Sequence, residues 1–211
     1  DLQKDTSLLE KLGVHFVFAP APEEMYSKEE METAFEFDFN GLDEVMEGKM
    51  RPGHFNGVVQ VVSRLFDFIQ PTRAYFGEKD FQQLAIIRHM VERSSMAERY
   101  TGLQIIGCPI VREQSGLAMS SRNERLSSQE KQTAIAISQT LFSSVEWAKS
   151  ATVEEVQQRV IDTINAVQGL EVEYYNIVDK TTLKPTNTFH NAVGCVTVYC
   201  GPVRLIDNIQ Y

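Results

Sequence analysis

The sequence predicts an α/β fold in which a parallel sheet with covering helices precedes a smaller α+β domain. Helix and strand patterns alternate in the first part of the chain, as in successive βαβ units. Beyond residue 127 the pattern changes to two helices followed by three strands. With 211 residues and 43% hydrophobic content, the chain can build a genuine core in one large or two modest domains. We therefore expect domains over residues 1–123 and 127–211.

The first domain carries helix and strand signals in regular order. Gly13 ends one helical pattern and Pro71 ends another, because glycine stops helices and proline cannot continue them. The predicted helices cover residues 4–12, 55–69 and 81–91. The predicted strands cover residues 15–19, 34–39, 73–76 and 103–111.

The second domain begins with two helices that have capping boxes. Ser127 with Glu130, and Thr152 with Glu155, place a hydroxyl and a carboxylate three residues apart at the helix starts. The predicted helices cover residues 129–147 and 153–167. The predicted strands cover residues 172–178, 192–200 and 203–206.

The most informative stretch is residues 76–83, which lies at the junction of a predicted strand and helix. Gly77 supplies a turn, and Lys79, Asp80 and Gln83 follow it at once. Loops at the carboxyl ends of strands open into ligand crevices, and the free N–H groups of a helix start attract anions. Lys79 adds a full positive charge, so the stretch suggests a phosphate site. An alternative is a simple capping box of Asp80 and Gln83.

A second polar constellation, residues 116–123, follows the predicted strand 103–111. Ser120 and Ser121 can donate single hydrogen bonds, and Arg122 offers a planar charged fork that suits phosphate. The alternative is an ordinary polar turn before a helix. Because Ser127 already caps that helix, we expect residues 120–123 to be free for another task.

These stretches together resemble the pantothenate synthetase (pantoate–β-alanine ligase) family. The resemblance runs in order along essentially the whole chain, which makes it far more specific than one motif. The matching segments are residues 51–58 (RPGHFNGV), 76–84 (FGEKDFQQL), 109–113 (PIVRE), 116–123 (GLAMSSRN) and 204–208 (RLIDN).

The resemblance implies an ATP-dependent ligase that uses Mg²⁺. Family members convert pantoate and ATP to pantoyl adenylate with release of pyrophosphate, and β-alanine then displaces AMP to give pantothenate. It further implies a homodimer, for which residues 35–39 and 40–50 are the candidate segment. The first domain would be the remainder of a Rossmann-like nucleotide-binding domain, incomplete at the amino end, and the second would be a lid.

The family motifs also imply roles for individual residues. Catalytic roles fall on Lys79, Ser120, Ser121 and Arg122. The ATP-binding set is Gly77, Lys79, Asp80, Val111, Met119, Ser120, Ser121 and Arg122: Gly77 and Asp80 at the ribose, Val111 and Met119 at the adenine, and the others at the phosphates. Gln83 would hold pantoate, and Arg51 and His54 would be polar residues near the cleft. The alternative for His54 is a structural histidine beside a helix start.

One departure from the family pattern is large. The family's amino-terminal nucleotide-binding motif, of the type Met-Gly…His-x-Gly-His, has no match in this sequence. We therefore expect a protein that lacks its amino-terminal part, whose intact form is the ligase and whose 211 residues alone are inactive. The alternative is a structural or dimerisation fragment with at most residual nucleotide binding.

Composition and residue spacing argue against several classes of protein and of binding site. A net charge of −9 disfavours a nucleic-acid surface, and with it a fragment of an aminoacyl-tRNA synthetase, which also forms an adenylate. No apolar run of about 18 residues suggests a membrane span. Three cysteines without Cys-x-x-Cys spacing, and four histidines without metal-ligand spacing, indicate reduced thiols and no protein-held metal. We therefore expect a cytoplasmic protein without membrane or nucleic-acid partners.

Overall fold

The structure is a computed structural model that describes residues 2–211. The chain divides into two compact units, one ending at Glu36 and the other formed by Phe37–Tyr211. The first unit contains three helices: α1 (Leu2–Lys11), α2 (Pro22–Met25) and α3 (Lys28–Glu32). Within residues 2–211, no helix combines the length and apolar character needed to cross a membrane.

The strands predicted over residues 15–19 and 34–39 are wrong. Both segments lack regular secondary structure, and the Phe16 side chain is 92% exposed. A strand exists only where another strand pairs with its backbone groups, and an apolar pattern cannot supply that partner. The pattern in residues 15–19 therefore marks extended apolar chain, with no sheet formed by these residues.

The second unit begins with two helices and a parallel strand pair. Helices α4 (Met46–Met50) and α5 (His54–Ile69) precede β1 (Arg73–Gly77), α6 (Phe81–Glu92), a 3₁₀ turn at Ala97–Tyr100 and β2 (Gln104–Cys108). Strand β1 pairs with β2 in parallel, with Arg73 opposite Gln104 and Gly77 opposite Cys108. The predicted βαβ unit is thereby confirmed, as a small parallel sheet with two strands.

The remaining chain forms an antiparallel sheet covered by two helices. A 3₁₀ turn at Ser121–Arg125 leads to α7 (Ser128–Trp147), α8 (Val153–Asn165), β3 (Leu170–Asp179), β4 (Ala192–Cys200) and β5 (Val203–Gln210). The strands lie in the order β3-β4-β5. Both predicted capping boxes are present at the starts of α7 and α8. The two helices and three strands lie where they are predicted, but β5 continues to Gln210, beyond its predicted end at residue 206. The domain boundary at residues 123–127 stays a prediction.

The main core lies between helices α7 and α8 and the antiparallel sheet. Its fully buried members include Ala134, Leu141, Val156, Val160, Ile164 and Val198. Cys195 and Cys200 are buried and Cys108 is half-buried, and all three are free thiols, as predicted. Burial raises the pKa of the Cys195 thiol to about 12, so this cysteine stays protonated and unreactive at neutral pH.

The buried leucine of α7 provides a test of this packing. Leu141 is 0% exposed, so Leu141→Ala removes buried methyl groups and leaves a cavity. We expect the free energy of unfolding to fall by about 2–5 kcal/mol, measured by urea denaturation. Gln139→Ala, at an exposed position of the same helix, is the control and should change the value by less than about 0.5 kcal/mol. Equal effects of the two substitutions would contradict this core.

Candidate functional site

Lys79 lies in the three-residue loop between β1 and α6. Strand β1 ends at Gly77, and α6 begins at Phe81. Asp80 occupies the N-cap position of α6, but its side chain makes no capping hydrogen bond. The alternative interpretation of this stretch as a capping box of Asp80 and Gln83 is therefore wrong.

A side chain from the antiparallel sheet holds this loop in place. The Asn208 Nδ2 group on β5 donates hydrogen bonds to the Glu78 carbonyl at 2.8 Å and to the Lys79 carbonyl at 3.0 Å. The Glu78 N–H group donates to the Cys108 carbonyl at 2.8 Å, which continues the pairing of β1 with β2. Asn208 is 3% exposed, so these bonds are shielded from water. The backbone of the Lys79 loop is thus fixed from two sides.

Five of the predicted site residues line one cavity of about 40 Å³, called here the main cavity. They come from α4 to α6 and the connections between these helices, and they are Arg51, His54, Lys79, Asp80 and Gln83. The opposite wall comes from the antiparallel sheet, through Tyr174, Cys195, Val196, Ile206, Asp207 and Asn208. The tertiary structure therefore brings together residues that are far apart in sequence.

A smaller cavity of about 10 Å³ extends the site towards the second polar constellation. Lys79, Ser120, Arg122 and Asp207 all line it. Lys79 and Asp207 thus belong to both cavities, and they connect the two sequence motifs in space.

Ser120 and Arg122 also have structural bonds, contrary to the expectation that residues 120–123 are free. The Ser120 hydroxyl accepts a hydrogen bond from the Arg122 N–H group at 3.2 Å and caps the 3₁₀ turn. The Arg122 guanidinium donates to the Arg204 carbonyl at 2.9 Å. Asn123 is buried and donates to Glu113 and to the Ala118 carbonyl. These contacts arise because the segment crosses towards β5, which a local pattern does not reveal.

Four predicted residues line neither cavity: Gly77, Val111, Met119 and Ser121. Val111 and Met119 are nevertheless neighbours, because the Met119 N–H group donates to the Val111 carbonyl at 2.9 Å. Their side chains are 65% and 55% exposed, so they form a small apolar surface. Gly77 and Ser121 are exposed at the end of β1 and the start of the 3₁₀ turn.

Burial and neighbouring charges shift the pKa values of Lys79 and His54, which both line the main cavity. Burial lowers the pKa of Lys79 below its ordinary value, and Asp80 and Asp207 partly offset this effect. Burial, and then the positive charge of Arg51, lower the pKa of His54. His54 is therefore neutral at pH 7, where it can accept as well as donate a hydrogen bond.

Sequence reasoning missed a set of paired carboxylates around the main cavity. Asp207 is held by the Arg112 guanidinium through two hydrogen bonds of 2.6 and 2.9 Å. Glu47 is held by Arg204 through two bonds of 2.7 and 2.8 Å. A signal for Glu47 was present, since it lies four residues before Arg51, the spacing of a helical ion pair. The Asp207 pair spans 95 residues and has no local signal.

The described residues, 2–211, contain no group of three or more His, Cys, Asp or Glu side chains that could hold a metal ion. The polar groups of the main cavity are instead suited to an organic anion. Lys79 and Arg51 offer positive charge, Gln83 offers an amide, and Asp80 offers a carboxylate without a capping bond. Such a set can bind a phosphorylated ligand beside a carboxylic acid.

Comparisons with known sequences all match this chain, along its length, to the same family. The family model described as pantoate-beta-alanine ligase matches residues 1–210. A pantothenate synthetase of Phocaeicola vulgatus is 56% identical over 213 residues, which cover 100% of this chain and 73% of that protein. A pantothenate synthetase of Bacteroides thetaiotaomicron is 54% identical with the same two coverages. The chain thus spans about three quarters of the length of these relatives.

Solved structures give the same result for the fold. A pantothenate synthetase crystal structure from Thermus thermophilus matches with a TM-score of 0.89 and 38% identity, covering 100% of this chain and 74% of that one. A pantoate-beta-alanine ligase from Francisella tularensis, crystallised with beta-gamma ATP and beta-alanine, matches with a TM-score of 0.74 and 31% identity over 100% of this chain and 70% of that one. On its sequence and its fold, the chain belongs to the pantoate–β-alanine ligase family.

Proposed function

We propose that this chain forms the site of an ATP-dependent ligase that condenses pantoate with β-alanine to pantothenate. The observation that carries the proposal is the convergence of Lys79, Arg51, His54 and Gln83 on one cavity, in a chain that belongs to this ligase family. The complex of the Francisella relative with an ATP analogue and β-alanine supports the same two substrates. The β1–β2 pair would be part of a Rossmann-like nucleotide-binding domain, and the β3–β5 sheet would be its lid.

In the first step, a pantoate carboxylate oxygen attacks the α-phosphorus of ATP, and pyrophosphate leaves. Negative charge accumulates on the phosphate oxygens, and cations fixed in advance stabilise it. Lys79, together with Ser120 and Arg122 on the smaller cavity, would bind these oxygens. Because Lys79 is half-buried, its charge is less screened there than on an open surface.

Other residues would position the two substrates. The Asp80 carboxylate can accept hydrogen bonds from both ribose hydroxyls, and Gly77 would lie beside these hydroxyls. Val111 and Met119 form the exposed apolar pair on which adenine would rest. Gln83 would orient pantoate, because an amide can both donate to a carboxylate and accept from a hydroxyl. Ser121 would add a hydroxyl to the phosphate loop, while Arg51 and neutral His54 would complete the cavity wall.

In the second step, the β-alanine amine attacks the acyl carbon of pantoyl adenylate. The new bond is an amide, the bond between the acyl carbon and the bridging oxygen breaks, AMP leaves with that oxygen, and the amine releases a proton. No protein nucleophile is needed, because the adenylate is already an activated acid. The buried thiols suit this scheme, since Cys195 stays protonated.

Magnesium would arrive with ATP. The described residues offer no three-ligand cluster, and Mg²⁺ commonly binds through phosphate oxygens and water with few protein ligands. The ion would therefore belong to the nucleotide substrate.

We also propose that the chain forms a homodimer. The family resemblance supports a homodimer formed through residues 35–39 and 40–50. Light scattering should give about twice the monomer mass of 23.9 kDa. A monomeric mass at micromolar concentration would exclude this dimer for the chain. The cytoplasmic location stays a prediction of the sequence.

Removal of the Lys79 charge tests the phosphate site. Lys79→Ala should weaken ATP binding by about 10- to 100-fold, because it removes a charge-assisted hydrogen bond to phosphate. Calorimetric titration of the chain with Mg·ATP measures the dissociation constant, and release of pyrophosphate measures turnover. Lys149→Ala is the control, because the Lys149 side chain is 67% exposed and lines neither cavity.

Equal ATP affinity of the Lys79 and Lys149 variants would contradict the phosphate role. Absence of any heat for the unaltered chain at millimolar ATP would instead favour the alternative of a structural or dimerisation fragment.

The adjacent residues Gln82 and Gln83 are expected to have different roles, the first in stability and the second in substrate binding. Gln82 is buried, and its amide donates to the Leu42 carbonyl at 2.7 Å and the Val45 carbonyl at 2.9 Å. Gln82→Ala leaves these acceptors unpaired and should lower the free energy of unfolding by about 1–3 kcal/mol. Gln83→Ala should change it by less than about 0.5 kcal/mol but raise the KM for pantoate.

Urea denaturation compares the stability of the two variants, and initial-rate assays at varied pantoate test Gln83→Ala against the unaltered chain. The assignment fails if Gln83→Ala leaves pantoate kinetics and pantoate binding unchanged.

A further inference from the structure

A single carboxylate on α4 contacts all three strands of the antiparallel sheet. Glu47 accepts hydrogen bonds from the Tyr174 hydroxyl on β3 at 2.8 Å and from the Thr197 hydroxyl on β4 at 3.1 Å. It also accepts two bonds from the Arg204 guanidinium on β5, at 2.7 and 2.8 Å. The Glu47 side chain is 14% exposed, so these bonds form largely away from water.

A second carboxylate binds the same guanidinium but has a different role. Glu173 lies on β3 and accepts from Arg204 Nε at 3.0 Å and from the Tyr199 hydroxyl at 3.1 Å. Its bonds stay within the sheet, whereas those of Glu47 join the sheet to α4. The two carboxylates share one cation, and this makes Glu173 a matched comparison for Glu47.

Glu47 also faces the main cavity. Its carboxylate lies 3.7 Å from the Arg51 guanidinium, one helical turn later. Met46, Glu47 and Arg51 line the cavity from α4 and its C-terminal end, and Tyr174, Val196 and Ile206 are among the residues that line it from the sheet. Glu47 therefore sits where the two walls meet.

We propose that Glu47 is a positioning residue that holds the β3–β5 sheet against α4 and aligns Arg51 at the main cavity. With Glu47 in place, the sheet covers the cavity and excludes water from it. Without Glu47, the Tyr174 and Thr197 hydroxyls lose their acceptor, and Arg204 keeps only Glu173. The part of this inference that concerns the adenylate depends on the proposed function; the part that concerns the joint between α4 and the sheet does not.

The first test measures the joint directly in the 211-residue chain. Glu47→Gln keeps the side-chain shape but places an amide where the hydroxyls and guanidinium require a carboxylate. Hydrogen exchange read by mass spectrometry should show about tenfold faster exchange in peptides from α4 and from β4–β5. Glu173→Gln should speed exchange in β3 and β5 and leave α4 unchanged. Equal exchange of α4 in both variants would overturn the proposal.

Two variants that each remove one hydrogen bond to Glu47 test the joint if Glu47→Gln does not fold. Tyr174→Phe and Thr197→Val each delete one donor to Glu47 and retain the ion pair with Arg204. Each should increase α4 exchange by a smaller factor than Glu47→Gln. No change of α4 exchange in either variant would also count against the joint.

The second test measures water exclusion during turnover. An adenylate exposed to water hydrolyses, so Glu47→Gln should release more pyrophosphate than it forms pantothenate, whereas Glu173→Gln should keep the ratio near one. A purely destabilising change lowers both rates and leaves this ratio unaltered. Faster α4 exchange with a ratio of one would confine Glu47 to the structural joint and overturn its role in covering the adenylate. Absence of turnover in the unaltered chain would agree with the expected inactivity of the 211 residues alone; it would overturn, for this chain, the part of the inference that concerns the adenylate and leave the exchange result standing.

Discussion

The Lys79 loop is held by backbone hydrogen bonds to two different sheets, and the rest of the site depends on this arrangement. The Glu78 N–H group donates a hydrogen bond to the Cys108 carbonyl at the end of β2. The Glu78 and Lys79 carbonyls accept hydrogen bonds from one buried side-chain amide, that of Asn208 on β5. Binding a ligand through a long, flexible lysine side chain costs conformational entropy, and a fixed backbone lowers this cost because fewer groups must be ordered. The antiparallel sheet therefore acts on the candidate phosphate site through this bond pair.

Charge around the main cavity is organised by the same sheet. Asp207 and Glu47 are both largely buried carboxylates, and each is bound by an arginine, Arg112 or Arg204, in bidentate geometry. A buried carboxylate without such a partner would be costly. Arg204 is shared between Glu47 and Glu173, so the charges of Asp80, Asp207 and Glu47 still act on Lys79 and partly offset the lowering of its pKa by burial. The whole chain carries a net charge of −9, so the positive side chains around the main cavity are brought together by the fold and not by the overall composition.

Sequence reasoning predicted the site in part. Arg51, His54, Lys79, Asp80 and Gln83 were all expected near one cleft and line one cavity. Their motifs lie at helix starts and at a strand end, where the local pattern already fixes the direction of the chain. Glu47, Tyr174 and Asp207 were missed, because they reach the cavity from elements whose packing the pattern does not define. Ser120 and Arg122 reach the smaller cavity but have structural bonds that local reasoning did not anticipate.

The sequence by itself determined the elements whose signals are local. Glycine and proline stops, two capping boxes and the βαβ order were readable because they depend on neighbouring residues. The family was readable as well, because several motifs occur in order. Only the tertiary structure decided which apolar runs become strands, since residues 15–19 have no pairing strand among the described residues of their unit. It alone also decided the partners of Glu47, Asp207 and Asn208, because bonds across 95 to 157 residues depend on the packing of whole elements.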